Sequence, residues 1–144
     1  MKTFQTVATE LREFCESHGQ IARYIFDQEG KINDGKSEGY PLVYVEPVPS
    51  IMQKGSNTFS LSIAVMDLAL EDLSDIESVY SNAHAIISDI RAYFANNKGV
   101  DYDLGDEVTL EPIRYDQNDS LNGWTVTIDF QTAADASGCL YPTN

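Results

Sequence analysis

A strict alternation of apolar and polar residues between Thr58 and Val65 limits the choice of fold more than any other part of the sequence. The apolar members are Phe59, Leu61, Ile63 and Val65, and Ser60, Ser62 and Ala64 stand between them. Alternation with a period of two is characteristic of a strand with one buried face. We therefore expect a sheet with one apolar side, which other elements of the chain must cover.

Two segments have the helical periodicity that is needed to cover such a sheet. Across residues 3–17, apolar residues recur at steps of three and four, which predicts one amphipathic helix. Ser74-Asp-Ile-Glu77 has the spacing of a capping box, and the apolar stripe after it continues to Phe94. Because Asn96-Asn-Lys-Gly99 supplies a stop, we predict a second helix of about 22 residues, roughly 33 Å long, that begins at Ser74.

Three further strands are predicted from residue types and from the positions of proline. Proline lacks the N–H that an inner strand must donate, so the apolar run 40–47 should form a strand that starts at Pro41 and stops by Pro47. Residues 108–115 and 124–132 are predicted to form a hairpin around a turn-rich segment. The breaker-rich segments that we predict to be loops are 27–39 and 48–57.

The order of these elements predicts an α+β fold. We expect about four strands in a mostly antiparallel sheet, with two helices packed on one face. The opposite face should be polar, and it is either hydrated or a docking surface for another copy of the chain. Its expected inter-subunit residues are Ser60, Ser62, Thr125, Thr127 and Asp129. Residues 1–132 should form a single domain, and residues 133–144 an extended C-terminal tail.

The charge of the chain excludes several classes of partner. Its formal net charge is -14, from 23 acidic and 9 basic residues, whereas general binding to nucleic acid or to an anionic membrane requires a basic face. The excess is uneven, because residues 67–144 hold 15 acids and 3 bases. No apolar run approaches the roughly 18 residues of a membrane span, and an amphipathic stretch follows Lys2 where a secretory signal would be apolar. We expect a soluble protein of the reducing cytosol with one strongly negative end or face.

The chain contains few residues that are suited to catalysis. Its two cysteines, Cys15 and Cys139, have a spacing that fits neither a disulfide framework nor a zinc site. His18 lies one helical turn after Cys15, which makes a Cys-His pair geometrically possible, but Cys15 also continues the apolar stripe of the first helix. No glycine-rich phosphate loop occurs in the sequence. We therefore predict that the protein is not an enzyme and has no catalytic, cofactor or metal site.

The acidic segment from Asp101 to Glu107 allows two interpretations. Its carboxylates at alternate positions resemble the start of an EF-hand calcium loop. The match fails in detail, because Gly105 comes one place early and Pro112 stands where the twelfth-position glutamate should be. A solvated acidic loop is therefore the better prediction.

Four segments in order give a pattern that extends over nearly the whole chain. The first two are Ser17-His-Gly-Gln-Ile21 and, after a loop, Tyr40-Pro-Leu-Val-Tyr-Val45. The others are the strand Phe59 to Val65, which Met66-Asp67 and the long helix follow, and a late strand centred on Gly123-Trp124-Thr-Val-Thr-Ile128. This pattern resembles the tail-terminator and tail-completion proteins of the neck of tailed bacteriophages, in whose C-terminal tail Cys139 would lie. Gly19, where that family is expected to have proline, and the long 27–39 loop depart from the pattern.

The resemblance implies a structural virion protein that acts as one copy in a homo-oligomeric ring, usually a hexamer, with a twelvefold ring as the alternative. Such a ring terminates the tail tube and joins it to the head, while DNA passes through the centre without specific binding. Its partners would be its own copies and the adjacent neck, portal or tail-tube proteins, with no membrane. The ring would be assembled in the host cytoplasm and would remain in the neck of the virion.

The resemblance also suggests a role for the acidic loop. In a ring that DNA traverses, the carboxylates of Asp101, Asp103, Asp106 and Glu107 would line the channel. Their repulsion of phosphate groups would keep passing DNA from adhering to the wall. The alternative is that these side chains are simply solvated.

Three other functions remain open from the sequence. One is another neck ring of the same fold, such as a head-completion or portal-adaptor protein. A second is an acidic inhibitor or DNA mimic, which would be a monomer that binds a basic host protein. The third is a Cys-dependent or metal-dependent enzyme, which would need ionisable groups gathered in one pocket.

Overall fold

Two helices and a mixed sheet of six strands make up the part of the chain that the structure describes. The structure is a computed structural model, and it describes residues 2–27, 39–69, 74–97, 101–114 and 121–134. In chain order the elements are α1 (Phe4–Ser17), β1 (Arg23–Phe26), β2 (Leu42–Pro47), β3 (Ile51–Gln53), β4 (Ser56–Leu68), α2 (Ile76–Asn97), β5 (Leu110–Arg114) and β6 (Leu121–Ala133). The predicted α+β class with two helices is confirmed.

The first helix begins at a reciprocal cap. The Thr3 hydroxyl accepts a hydrogen bond from the backbone N–H of Thr6 (3.2 Å), and the backbone N–H of Thr3 donates to the Thr6 hydroxyl (3.3 Å). These bonds satisfy two donors that the first turn of a helix leaves unpaired. The buried face of α1 consists of Val7, Leu11 and Cys15. The helix therefore turns its one apolar stripe towards the sheet, as its periodicity predicts.

The second helix has the predicted length of 22 residues. It begins at Ile76, two residues after Ser74, and the carbonyl of Asp75 accepts from the backbone N–H of Val79 (3.0 Å). A difference of one or two residues at a helix end is normal, because the first turn has few intrahelical bonds. Its buried residues are Val79, Ala83, Ile86, Ile87, Ile90 and Phe94. Through this stripe α2 packs on β4 and β6.

The sheet differs from the prediction in the number and direction of its strands. The strand order is β1-β2-β4-β6-β5, and β3 also pairs with β4. β1 runs parallel to β2, whereas the other neighbouring strands are antiparallel. The sheet is therefore mixed and has six strands, where the sequence predicted about four. β1 and β3 were missed because segments of four and three residues are too short to show a period.

The two long central strands determine the frame of the sheet. β4 and β6 have 13 residues each and pair along their whole length, from Ser56 opposite Ala133 to Leu68 opposite Leu121. β6 thus begins three residues before the predicted Trp124, inside the segment that was predicted to be a turn. β5 begins at Leu110, two residues after the predicted start. Residues 28–38, 115–120 and 135–144, and with them most of the predicted 27–39 loop and C-terminal tail, lie outside the described residues.

Both helices contribute to one apolar core on one side of the sheet. From the sheet, this core contains alternate residues of three strands: Val43 and Val45 of β2, Leu61, Ile63 and Val65 of β4, and Val126, Ile128 and Phe130 of β6. Phe94 of α2 packs edge-on against Phe130, with ring centroids 4.9 Å apart. Burial of these side chains supplies the main free energy that holds helices and sheet together.

The opposite face of the sheet was predicted to be polar, and it is polar only in part. At the end of the sheet where β4 finishes and β6 begins, it carries a second buried apolar cluster, which consists of Ile25, Leu42, Tyr44, Met66, Ile113 and Leu121. The run from Tyr40 to Val45 is apolar, so β2 carries apolar side chains on both faces as far as Val45. The alternation that is clear between Thr58 and Val65 also breaks at Met66.

Candidate interaction surfaces

The five residues that were predicted at a subunit interface lie together on the helix-free face. The β4–β6 register places Ser60 opposite Asp129 and Ser62 opposite Thr127. Thr125 is two positions from Thr127 and therefore on the same face, since side chains alternate along a strand. Its hydroxyl lies 3.5 Å from that of Ser62. The region of these five residues is called the polar face below.

Hydrogen bonds hold Ser60 and Asp129 of the polar face in place. The Ser60 hydroxyl donates to the Asp129 carboxylate (2.6 Å), and the backbone N–H of Ser60 donates to the Ser50 hydroxyl (3.0 Å). Ser60 is only 6% exposed, so its role is to hold the exposed Asp129 in position. Thr127 and Asp129 are exposed. These two side chains can therefore meet a partner, whereas Ser60 cannot.

A shallow groove borders the polar face on the side of β5. Its lining residues are Thr109, Glu111, Thr125, Val126 and Thr127. Sequence reasoning did not assign Thr109 and Glu111 to this surface, because their orientation depends on a β5–β6 register that begins at Leu110 and Val126. The groove thus places the carboxylate of Glu111 beside the polar face.

Lys2, which precedes α1, and Arg91 of α2 hold the acidic loop in place. Lys2 contacts Glu10 (2.8 Å) and Asp101 (3.4 Å), and its ammonium lies 5.7 Å from the centre of the Tyr102 ring. Hydrogen bonding to Glu10, together with attraction by Glu10 and Asp101, raises the pKa of Lys2 against the effect of its burial. Arg91 of α2 donates to the carbonyl of Gly105 (3.0 Å). The loop therefore has a defined position relative to the sheet.

Backbone bonds join the same loop to the sheet. Asp103 and Gln131 exchange two backbone hydrogen bonds, at 2.8 and 3.1 Å. The Asp103 carboxylate also accepts from the backbone N–H of Gly105 (2.9 Å), which adopts a φ of +76° that glycine tolerates best. Asp103, Asp106 and Glu107 are exposed, whereas Asp101 is half-buried beside Lys2. Three of the four carboxylates that were predicted to line a channel thus face solvent with no ion pair among the described residues.

Cys15 and His18, the candidate catalytic pair, occupy different environments. Cys15 lies in the core with no exposed surface. Burial, with a smaller contribution from Glu16, raises the pKa of the Cys15 thiol to about 12. The His18 ring accepts from the backbone N–H of Gln20 (3.1 Å) and contacts Asp89 of α2 through Nε2 (2.9 Å). His18 thus joins α1 to α2, and the thiol is a core side chain.

The Cys15 thiol is expected to resist alkylation in the folded protein. At pH 8, a pKa of about 12 leaves roughly one thiol in ten thousand ionised, and the thiolate is the reactive species. In a Cys139→Ser variant, iodoacetamide should modify Cys15 at least a hundredfold more slowly than it modifies the same protein in guanidinium. Mass spectrometry measures both rates. Fast modification of the native variant would show that Cys15 is an accessible nucleophile.

An apolar strand at the end of the sheet was not foreseen from the sequence. Within the described ranges, β3 pairs only with the first residues of β4, and its side chains Ile51 and Met52 are 57% and 84% exposed. The available signal was Gly55 after Lys54, because glycine is favoured at the third position of a type II turn. Gly55 adopts a φ of +86°, as such a turn requires. The sheet therefore presents one exposed apolar pair at this corner.

Comparison with known proteins does not assign the chain to a family. No protein-family model matches the sequence, and no curated protein matches it significantly. Among the described residues, no three His, Cys, Asp or Glu side chains are grouped as metal ligands. Within the same part of the chain, no helix is both long enough and apolar enough to cross a bilayer.

Proposed function

We propose that this chain is a structural subunit of a homo-oligomeric ring in the neck of a tailed bacteriophage. The ring terminates the tail tube or joins head to tail, and DNA passes through it without specific binding. The subunits number six, or twelve in the alternative ring. The other partners are the adjacent neck, portal or tail-tube proteins, and the protein makes and breaks no bond in a substrate. A head-completion or portal-adaptor ring of the same fold is the nearest variant of this proposal.

The observation that carries the proposal is the polar face of the sheet. Both helices pack on the other side of the sheet, so neither helix covers this face. Thr127 and Asp129 are exposed there on a frame that the full β4–β6 pairing makes rigid. A rigid, hydrogen-bonded surface loses little conformational entropy when a neighbour docks on it. Such a surface suits contact between subunits.

The placement of Cys15 and His18 also favours a structural role over catalysis. An activated thiol must be accessible and close to a base, but Cys15 is buried and His18 directs its ring to Asp89. The net charge of -14 supports passage of DNA without adhesion, since the surface repels phosphates.

Light scattering coupled to size-exclusion chromatography tests the proposal. Six copies of the 16.0 kDa chain give a ring of about 96 kDa, and the proposal predicts this mass or twice this mass. The net charge of -14 also fits an acidic inhibitor or DNA mimic. That second candidate predicts a 16 kDa monomer that captures one basic protein. A monomer at every concentration would contradict the ring.

A further inference from the structure

Opposite edges of the sheet carry different chemistry at the end where β3 lies. The register places Ile51 opposite Thr58, Thr58 opposite Gln131, and Gln131 opposite Asp103. One row thus crosses the sheet from β3 to the acidic loop. Three strand spacings of about 4.8 Å separate its ends by roughly 14 Å.

The β3 edge is apolar with one positive charge. Ile51 and Met52 are the large hydrophobic side chains that are exposed among the described residues. Lys54, in the turn that follows β3, is exposed and forms no ion pair with any residue of the described ranges. We name Ile51, Met52 and Lys54 the β3 corner.

The opposite edge carries the acidic loop, and a groove lies beside it. The groove is lined by Gly55, Ser56, Asp101, Tyr102, Asp103, Gln131, Thr132 and Ala133. Asp103 lines the groove, Asp106 and Glu107 follow it in the same loop, and all three are exposed. The anchors from Lys2 and Arg91 hold the loop in place, so the carboxylates form a fixed negative rim.

We propose that the β3 corner of one subunit docks into the groove and against the acidic loop of the next subunit. This inference rests on the proposed ring, because a closed ring is built from heterologous contacts in which two different surfaces of the same chain meet. The β3 corner and the acidic loop are two such surfaces at the two ends of this row, and the groove extends between them from Gly55, next to Lys54, to Asp103. Their charges are complementary, with Lys54 on one and Asp106 and Glu107 on the other.

Docking of side chains explains this corner better than addition of a strand does. Pro112 lies in β5, one of the two edge strands, and cannot donate a backbone hydrogen bond. β3 itself has only three residues. The contact must therefore come from burial of Ile51 and Met52 and from the pairing of Lys54. The acidic loop then acts in subunit contact instead of lining the channel.

Disulfide trapping between two different variants tests the contact directly. Both variants carry Cys139→Ser. One adds Met52→Cys, and the other adds Asp106→Cys. A disulfide between the two introduced cysteines must therefore join separate chains. Under mild oxidation the mixture should give the mixed dimer at least tenfold above a matched mixture in which Ser81→Cys on α2 replaces Met52→Cys. An equal yield from the two mixtures would overturn the proposed contact.

Charge reversal separates this inference from the proposed function. Lys54→Glu should weaken self-association about tenfold or more, because it places like charges in contact, and the added substitution Asp106→Lys should restore it. Arg12→Glu on the exposed face of α1 is the control and should have little effect. Sedimentation velocity over a concentration series measures the change. If the Lys54→Glu variant forms rings like those of the wild type, the corner contact alone is contradicted, and a channel-lining role of the acidic loop is favoured. If the wild type is a monomer and gives no trapped dimer, both proposals are contradicted.

Discussion

Gly123→Ala is expected to lower the free energy of unfolding by about 3 kcal/mol, which for a chain of this size lowers the melting temperature by roughly 10 °C. Gly123 lies in β6 opposite Met66 of β4. A Cβ atom at this position would overlap the carbonyl oxygen of Val65 and would lie 2.9 Å from its carbonyl carbon and 3.1 Å from the Met66 Cα. Because these are backbone atoms, no side chain can move aside, and the central strand pair must separate locally.

Gly19→Ala is the matched control for this substitution. Gly19 lies after α1, and a Cβ there would have no atom within 4 Å. The melting temperature of the Gly19→Ala variant should differ from that of the wild type by no more than about 2 °C. Circular dichroism and the fluorescence of Trp124, the only tryptophan, follow the unfolding of both variants. If Gly123→Ala were as stable as the control, the close pairing of β4 with β6 at this point would be incorrect.

Thr127→Arg is expected to abolish ring formation and to leave the monomer folded. Thr127 is exposed at the centre of the polar face, opposite Ser62, so a long cationic side chain there does not disturb the core. In an assembled ring the same side chain would have to enter a packed interface, which costs several kcal/mol at each contact. Light scattering should show a 16 kDa species in place of the ring.

Ser81→Arg on the exposed surface of α2 provides the control for Thr127→Arg. It adds the same side chain at a distance from the polar face, and rings should form as in the wild type. The melting temperatures of the two isolated variants should agree within about 3 °C. Rings of normal mass from Thr127→Arg would show that the polar face is free of subunit contacts.

The long elements, in which the apolar period repeats several times, were predictable from the sequence. The stripe that ends at Phe94 gave the 22 residues of α2, and the alternation of β4 gave its buried and polar sides. The same alternation in β6 placed Thr125, Thr127 and Asp129 on the helix-free face. Local patterns carry this information because burial of one face requires them.

Elements that depend on partners distant in sequence were not predictable. β1 is a strand because it pairs in parallel with β2, which follows it after more than a dozen residues. β3 is defined only by its pairing with the start of β4. The second apolar cluster joins Ile25, Met66 and Leu121, and no local period indicates that they meet.

The environment of each candidate site also depends on contacts with residues elsewhere in the sequence. The acidity of residues 101–107 was evident from the sequence. The pairing of Asp101 with Lys2 and the hydrogen bond from Arg91 to Gly105 were not, because each joins residues that are not neighbours in the chain. The sequence left Cys15 and His18 as a possible pair, since it shows their spacing but not that Asp89 approaches His18 from the other helix.

Electron microscopy of the purified wild-type protein tests the central claim most directly. The account predicts top views of closed rings with sixfold or twelvefold symmetry and a central opening that is wide enough for duplex DNA. Images should be recorded over a range of concentrations, with chemical cross-linking to retain weak assemblies. Fields of single 16 kDa particles at every concentration, without a closed ring, would contradict the account.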